Sequence, residues 1–247
     1  MLEELRAAGS AALHLPSVLR RRTSEGLQQI VDDNVRYPVV LVHGYAGTGA
    51  VWAPLRRALH DAGFGHVVSL NYNSFARDPA EVSADLVSQT RAALDASGAS
   101  RVHLVGHSLG GLIVRYAIIH APLAPVVGTA VTIASPHRGT RLARLAPGRC
   151  ARIMVPQAVL RDAAGTAPPR VRWLAYYSDC DRVVLPASAR LSDPQYRATN
   201  VLIPGCGHLT ICRDARLIRS LVSELIRTES ACAPSLGLTI AHDPFAA

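Results

Sequence analysis

The chain has 247 residues, 49% hydrophobic and 18% charged, with 18 Gly and 16 Pro. That length suits one large α/β domain or two small ones, and the apolar fraction excludes a disordered chain. No apolar run reaches the roughly 18 residues of a membrane-spanning helix, and the Gly and Pro show no collagen-like or repeat period.

The first 36 residues lack a strong period. Glu3 and Glu4 stand where a signal peptide carries positive charge, and Arg20, Arg21 and Arg22 follow the short apolar stretch. This N-terminal extension is therefore expected to be retained, as a short amphipathic helix, and a cytoplasmic location is favoured. Secretion, with a leader removed ahead of residue 1, is the alternative.

Val39 to Val42 is a continuous β-branched and aliphatic run ending at His43-Gly44. It predicts a strand buried on both faces, as in a parallel sheet. A helix is expected from about Trp52 to Ala62, then a strand from Val67 to Leu70. Asp78-Pro79 opens the next helix with an N-cap residue, Pro at the first helical position and Glu81 three residues after the cap. Val82, Leu86, Ala93 and Leu94 roughly keep its period, and Gly98 ends it. Val102 to Val105 is a strand and Leu109 to His120 a helix. Further strands are expected at Val126 to Ala134, Val171 to Tyr177 and Thr199 to Ile203. A closing helix from Arg213 to Arg227 presents Leu217, Leu221 and Leu225 on one face. Six strands alternating with helices predict one domain: a three-layer α/β fold with a mostly parallel sheet.

Two segments break the rhythm. Residues 137–170 contain Pro147, Pro156, Pro168 and Pro169 without a period, so a lid-like or substrate-binding insertion is expected there. Residues 229–247 read as a surface strap or frayed tail.

The chemistry centres on Gly106-His107-Ser108-Leu109-Gly110. A G-x-S-x-G between a buried strand and a helix is the setting of a nucleophile elbow. A serine hydroxyl is a poor nucleophile without a base, so an acid and a histidine should follow, each after a strand. Ser178-Asp179-Cys180-Asp181 follows one strand, and Gly205-Cys206-Gly207-His208 follows the next. His208 is expected to relay the proton, and an aspartate to orient it. Asp179 and Asp181 compete for that role; Asp181 is preferred. An oxyanion hole needs two backbone N–H groups. Leu109 supplies one, and Tyr45, in the loop after the first strand, is expected to supply the other. Gly44 lets that loop approach closely. His43, Gly44, His107, Val184 and Leu209 are candidate substrate-binding residues, although His43 also reads as a structural brace of its loop. Tyr45, Trp52, Tyr72 and Leu109 are further candidates for an apolar acyl pocket; Trp52 and Tyr72 fit the core equally well. His137 is expected to make a structural hydrogen bond.

These segments carry a family resemblance. VVLVHGYAGTGAVW, LVGHSLGGLIVRYA, TIASPHRGT, YYSDCDRVVLP and GCGHLT resemble the α/β-hydrolase lipases and esterases. The likeness is strongest to the compact bacterial triacylglycerol lipases of actinobacterial type, over about residues 38 to 227. It implies a six-strand form of that sheet, Ser108 as nucleophile, Asp181 as acid and His208 as base. It also implies a turn shaping the site at Ser135 to Thr140, and a small-molecule or lipid ester as substrate. Acyl transfer and thioester hydrolysis share the same triad and remain alternatives, as does a non-catalytic binding protein.

Five cysteines show no C-x-x-C pair, and no H-E-x-x-H occurs, so neither a metal nor another cofactor is expected. Cys180 and Cys206 neighbour the proposed acid and base; a disulfide between them and two free thiols are both compatible with the sequence. The formal charge is +8, and all 26 basic residues are arginine. A GC-rich coding bias would produce this. The arginines are scattered and no nucleic-acid motif is present, so nucleic acid is not expected as a partner. Peripheral contact with an anionic lipid surface is the surviving expectation. The oligomeric state is left open.

Overall fold

The computed structural model describes residues 36–121, 123–156 and 171–232, all within the compact unit Val31–Ala247. The expectations for most of residues 1–36, for 157–170 and for the end of the tail lie outside the described residues.

Six strands form one sheet: β1 (Val39–Val42), β2 (Val67–Leu70), β3 (Val102–His107), β4 (Val127–Ile133), β5 (Arg172–Tyr177) and β6 (Thr199–Leu202). Their order is β2-β1-β3-β4-β5-β6, and every neighbouring pair is parallel. All residues of β1, β3 and β4 are buried. This is why they read as unbroken apolar runs instead of alternating ones.

Side chains leave each strand alternately to two layers. Val40 and Val42 join the layer built on helices α2 (Pro79–Ser97) and α3 (Leu109–His120). Val39 and Leu41 join the layer built on α1 (Ala53–Asp61) and the last helix. That last helix, here α5 (Ala215–Cys232), buries Leu217, Leu221 and Leu225 completely. Each such leucine contributes about 2 kcal/mol of burial. A four-residue helix, α4 (Pro186–Ala189), lies between β5 and β6.

Local chemistry explains the helix ends. The Asp78 carboxylate accepts from the Ala80 N–H, and Glu81 accepts from the Asp78 N–H, closing a capping box. Gly98 takes a left-handed φ of +71° and donates its N–H to the Leu94 carbonyl. Some boundaries differ from expectation; β3, for one, runs on to His107. A 3-10 turn over Gly49–Trp52 precedes α1, where Pro54 favours the first helical turn. Helix α5 starts at Ala215, because Thr210–Arg213 form a separate 3-10 turn. It also runs through residues expected in the tail. Glu229 explains this: its carboxylate accepts from the Arg36 guanidinium at 2.8 Å and the Tyr37 N–H at 2.8 Å, tying the last turns to the sheet.

Strand order reverses direction between β1 and β3. In open parallel sheets the crevice beyond the carboxyl ends of strands at such a switch point is where ligands bind. The loop after β1 and the turn after β3 both open into that crevice.

Candidate active site

Ser108 occupies the turn between β3 and α3 with φ 52° and ψ −119°. A side-chain-bearing residue in this region stores about 1–3 kcal/mol of strain. The turn persists because its surroundings leave no alternative. The Ser108 N–H donates to the Ile133 carbonyl at 2.8 Å. A Cβ on Gly106 would lie 2.5 Å from the backbone of Gly110 and Gly111, and one on Gly110 would overlap the Val42 carbonyl. The glycines are therefore required by close approach of backbone to backbone.

The turn brings Ser108 Oγ within 3.0 Å of His208 Nε2, and His208 Nδ1 lies 2.7 Å from Asp181 Oδ2. The serine hydroxyl can donate to Nε2 while Nδ1–H donates to the carboxylate. Asp181 is 2% exposed. Its second oxygen accepts from the Val183 and Val184 N–H groups at 2.8 and 2.9 Å. Burial alone would raise this carboxyl; the hydrogen bonds from His208, Val184 and Val183 outweigh burial and hold it below its ordinary value. It is an ionised, fixed acceptor.

Asp179 does not reach His208. Its carboxylate accepts from the Gly205 N–H at 2.7 Å, in the loop that carries the histidine. Buried Ser178 acts beside it: its Oγ accepts from the Cys180 and Cys206 N–H groups at 3.3 and 3.1 Å. Sequence reading passed over Ser178. The available signal was a serine at a strand end before a turn, where its hydroxyl commonly serves the backbone.

Two of the histidines hold backbone. His107 is 3% exposed and its Nε2 lies 2.9 Å from the His208 carbonyl. A carbonyl only accepts, so Nε2 carries the hydrogen. Burial, aided by the neighbouring His208, pushes the His107 pKa down to about 4, which keeps the ring neutral. His43 stands behind the loop after β1. Its Nδ1 donates to the Gly44 carbonyl at 2.8 Å, its Nε2 accepts from the Tyr72 N–H at 3.3 Å, and its ring stacks on Tyr72. The Tyr72 hydroxyl donates to the His43 carbonyl at 2.9 Å. His43 is thus a brace and is not among the residues lining the cleft, which corrects its candidacy for substrate contact. His137 has a similar structural setting, between Thr132 Oγ1 at 2.9 Å and the Arg115 guanidinium at 3.2 Å.

A cleft of about 210 Å³ opens over Ser108 and His208. Gly44, Tyr45, His107, Val184 and Leu209 line it. Leu142, Ala143, Ala146 and Met154 add an apolar wall from the segment after β4. The described part of the expected insertion is therefore a wall of the cleft. Trp52 and Leu109 are fully buried core side chains, so Leu109 can offer only its backbone. Leu109 is the first residue of α3, where an N–H has no intrahelical acceptor. Tyr45 N–H lies on the facing loop, and a Cβ on Gly44 would come 3.1 Å from Ser108 Cβ, so the glycine leaves that space clear.

Cys180 and Cys206 are both free. The buried Cys206 thiol turns away to Asp214 Oδ2 at 3.1 Å, while Cys180 is exposed. A disulfide bracing acid and base is thus not present. Among the described residues, no group of His, Cys, Asp or Glu is arranged to hold a metal ion.

Comparison with known proteins follows the same outline. Residues 37–149 match the family profile described as the alpha/beta hydrolase fold. A triacylglycerol lipase of Pseudarthrobacter phenanthrenivorans is 38% identical over 116 residues, covering 44% of this chain and 35% of that one. A triacylglycerol lipase of Burkholderia plantarii is 38% identical over 116 residues, covering 44% and 32%. The matched stretch thus spans about a third of these curated relatives. Among solved structures, the mature form of the Bacillus licheniformis lipase BlEst2 superposes with a TM-score of 0.67 at 18% identity, covering 78% of this chain and 93% of that one. The Paleococcus ferrophilus monoacylglycerol lipase gives 0.61 at 18% identity, covering 78% and 96%.

Proposed function

We propose that this chain, which has the α/β-hydrolase fold, is a serine hydrolase of carboxylic esters with a lipid-like acyl chain as substrate. The observation that carries the reading is the hydrogen-bonded line from Ser108 through His208 to buried Asp181, at the floor of an apolar cleft. In this reading Ser108 Oγ attacks the ester carbonyl as His208 Nε2 takes its proton. Asp181 holds the Nδ1–H tautomer and stabilises the imidazolium. The Tyr45 and Leu109 N–H groups receive the oxyanion. His208 then protonates the departing alcohol, leaving an acyl-serine. Water, deprotonated by His208, releases the acid and restores Ser108. The apolar wall from Leu142 to Met154 supports a hydrocarbon acyl group, and the lipase relatives support the same class.

The test is hydrolysis of nitrophenyl esters of increasing chain length by wild type and Ser108→Ala. Wild type is expected to turn over at least one chain length and the variant none. Intact-mass analysis after a fluorophosphonate should show one adduct, lost in the variant. A wild type inactive on every ester and unlabelled would overturn the proposal, as would an equally active variant.

A further inference from the structure

Six large hydrophobic side chains at or beside the cleft mouth are exposed: Phe75, Leu142, Leu145, Val183, Leu185 and Leu209. They make up all but one of the large hydrophobics exposed among the described residues. Leu142, Val183 and Leu209 line the cleft itself. Leu145 and Leu185 each adjoin a lining residue, and Phe75 packs on the lining residue Tyr45 at 5.1 Å. Singly exposed leucines are ordinary, but a ring of them around one opening marks an interaction surface.

The charge carried by the segment after β4 is one-sided, although Arg149 feels Glu81 of α2. Residues 137–156 contain Arg138, Arg141, Arg144, Arg149 and Arg152, and no Asp or Glu. All five arginines are exposed, as is Arg182 on the adjoining loop. None of the six forms an ion pair among the described residues. Hydrogen bonds join the two loops into one rim: Thr140 Oγ1 donates to the Val183 carbonyl at 2.7 Å, and Ser188 Oγ to the Gly139 carbonyl at 2.6 Å.

We infer that this rim docks on an anionic bilayer surface, so that the cleft opens against the membrane and draws its ester from there. The inference rests on the ester-hydrolase reading for what enters the cleft, but the docking surface stands on its own observations. Leucines interleaved with arginines suit an interface where aliphatic side chains enter the acyl boundary and guanidinium groups meet lipid phosphates. A single-stranded nucleic acid would call for exposed aromatic stacking platforms, and on this rim only Phe75 is both aromatic and well exposed; a duplex would pair with the arginines but leave the exposed leucines nothing apolar to enter.

The test is co-sedimentation of Ser108→Ala, which removes turnover, with phosphatidylcholine vesicles with and without phosphatidylglycerol. Binding is expected only with phosphatidylglycerol and should weaken as salt rises. Adding R141Q/R144Q/R149Q should lower the partition coefficient tenfold or more, since each arginine near such a surface is worth about fivefold. Soluble butyrate-ester hydrolysis by the triple variant with Ser108 intact should stay within twofold of wild type. Equal binding to neutral vesicles, a loss smaller than tenfold, or binding to duplex DNA in place of vesicles would overturn the inference. Vesicle binding is read without turnover, so its failure is distinct from failure to hydrolyse soluble esters.

Discussion

The floor of the cleft and its rim are built in opposite ways. The floor holds Ser108, Asp181 and His107, all buried, each fixed by hydrogen bonds to backbone or to another member of the site. The rim holds exposed arginines and leucines on short 3-10 turns, Arg141–Arg144 and Cys150–Met154. Strain and polar burial are tolerated at the floor because a parallel sheet and its tight turns over-determine it. The rim carries little that a fold needs and much that a partner can touch. In the proposed reading, one region positions reacting atoms and the other meets what arrives.

The largest break in this comparison is at the elbow. Ser108→Gly removes the proposed nucleophile and also the Cβ that makes φ 52° costly. Ester turnover should fall on the order of 10⁴-fold or more, while the fold becomes about 1 kcal/mol more stable. Chemical denaturation alongside kinetics checks both; an unstable, inactive variant would show that the serine side chain holds the turn instead of straining it.

The two aspartates give the next contrast. Asp181→Asn leaves a group that no longer fixes the His208 tautomer, and kcat should drop by about 10⁴. Asp179→Asn touches the Gly205 N–H and the Ser178 hydroxyl but not His208, so less than a tenfold loss is expected. Equal losses would mean that the acid role is shared.

The sheet was legible because burial on both faces turns a strand into an apolar run, and because Asp78, Glu81 and Gly98 are local signals for a local event. The order serine, aspartate, histidine was legible for a related reason: each follows a strand, and parallel strands deliver their ends to one edge. What escaped depends on direction in space. Ser178 meets Cys206 across 28 residues, and His107 meets the His208 carbonyl across 101. No periodicity encodes such contacts. Cys206 and Cys180 sit on converging loops, yet only the side-chain direction toward Asp214 decides that they remain thiols. Met154 and Ala143 join the cleft wall through 3-10 turns too irregular to leave a pattern.

His107 sharpens the comparison through pH. In the unfolded chain a histidine titrates near its ordinary 6.5; in the fold, burial lowers His107 to about 4. Between these values the unfolded state binds the extra proton, so stability rises with pH across the window. The contribution is complete above about 6.5 and is lost as pH falls toward 4, on the order of 3 kcal/mol in all. His107→Gln retains an N–H donor for the His208 carbonyl and removes this titration. Its stability, followed by urea unfolding from pH 7 to 4.5, should decline less steeply than that of wild type. An unchanged slope would place the acid sensitivity elsewhere, with buried His137 the next group to examine, since burial and Arg115 hold its pKa far down as well.

The smallest effect is expected at the rim, and its smallness is the point. Leu145 is 84% exposed on the turn after Arg144. Removing its side chain sacrifices almost no buried area, so Leu145→Ala should change unfolding free energy by no more than about 0.5 kcal/mol. The same truncation at buried Leu221 creates a cavity in the α1/α5 layer and should cost about 2–5 kcal/mol. Thermal or urea unfolding of the two variants compares the regions directly. If Leu145→Ala destabilised the chain as Leu221→Ala does, the leucine would be serving packing in the folded unit. A near-zero change instead shows that the fold does not depend on this leucine, which leaves the rim free to vary while the core cannot.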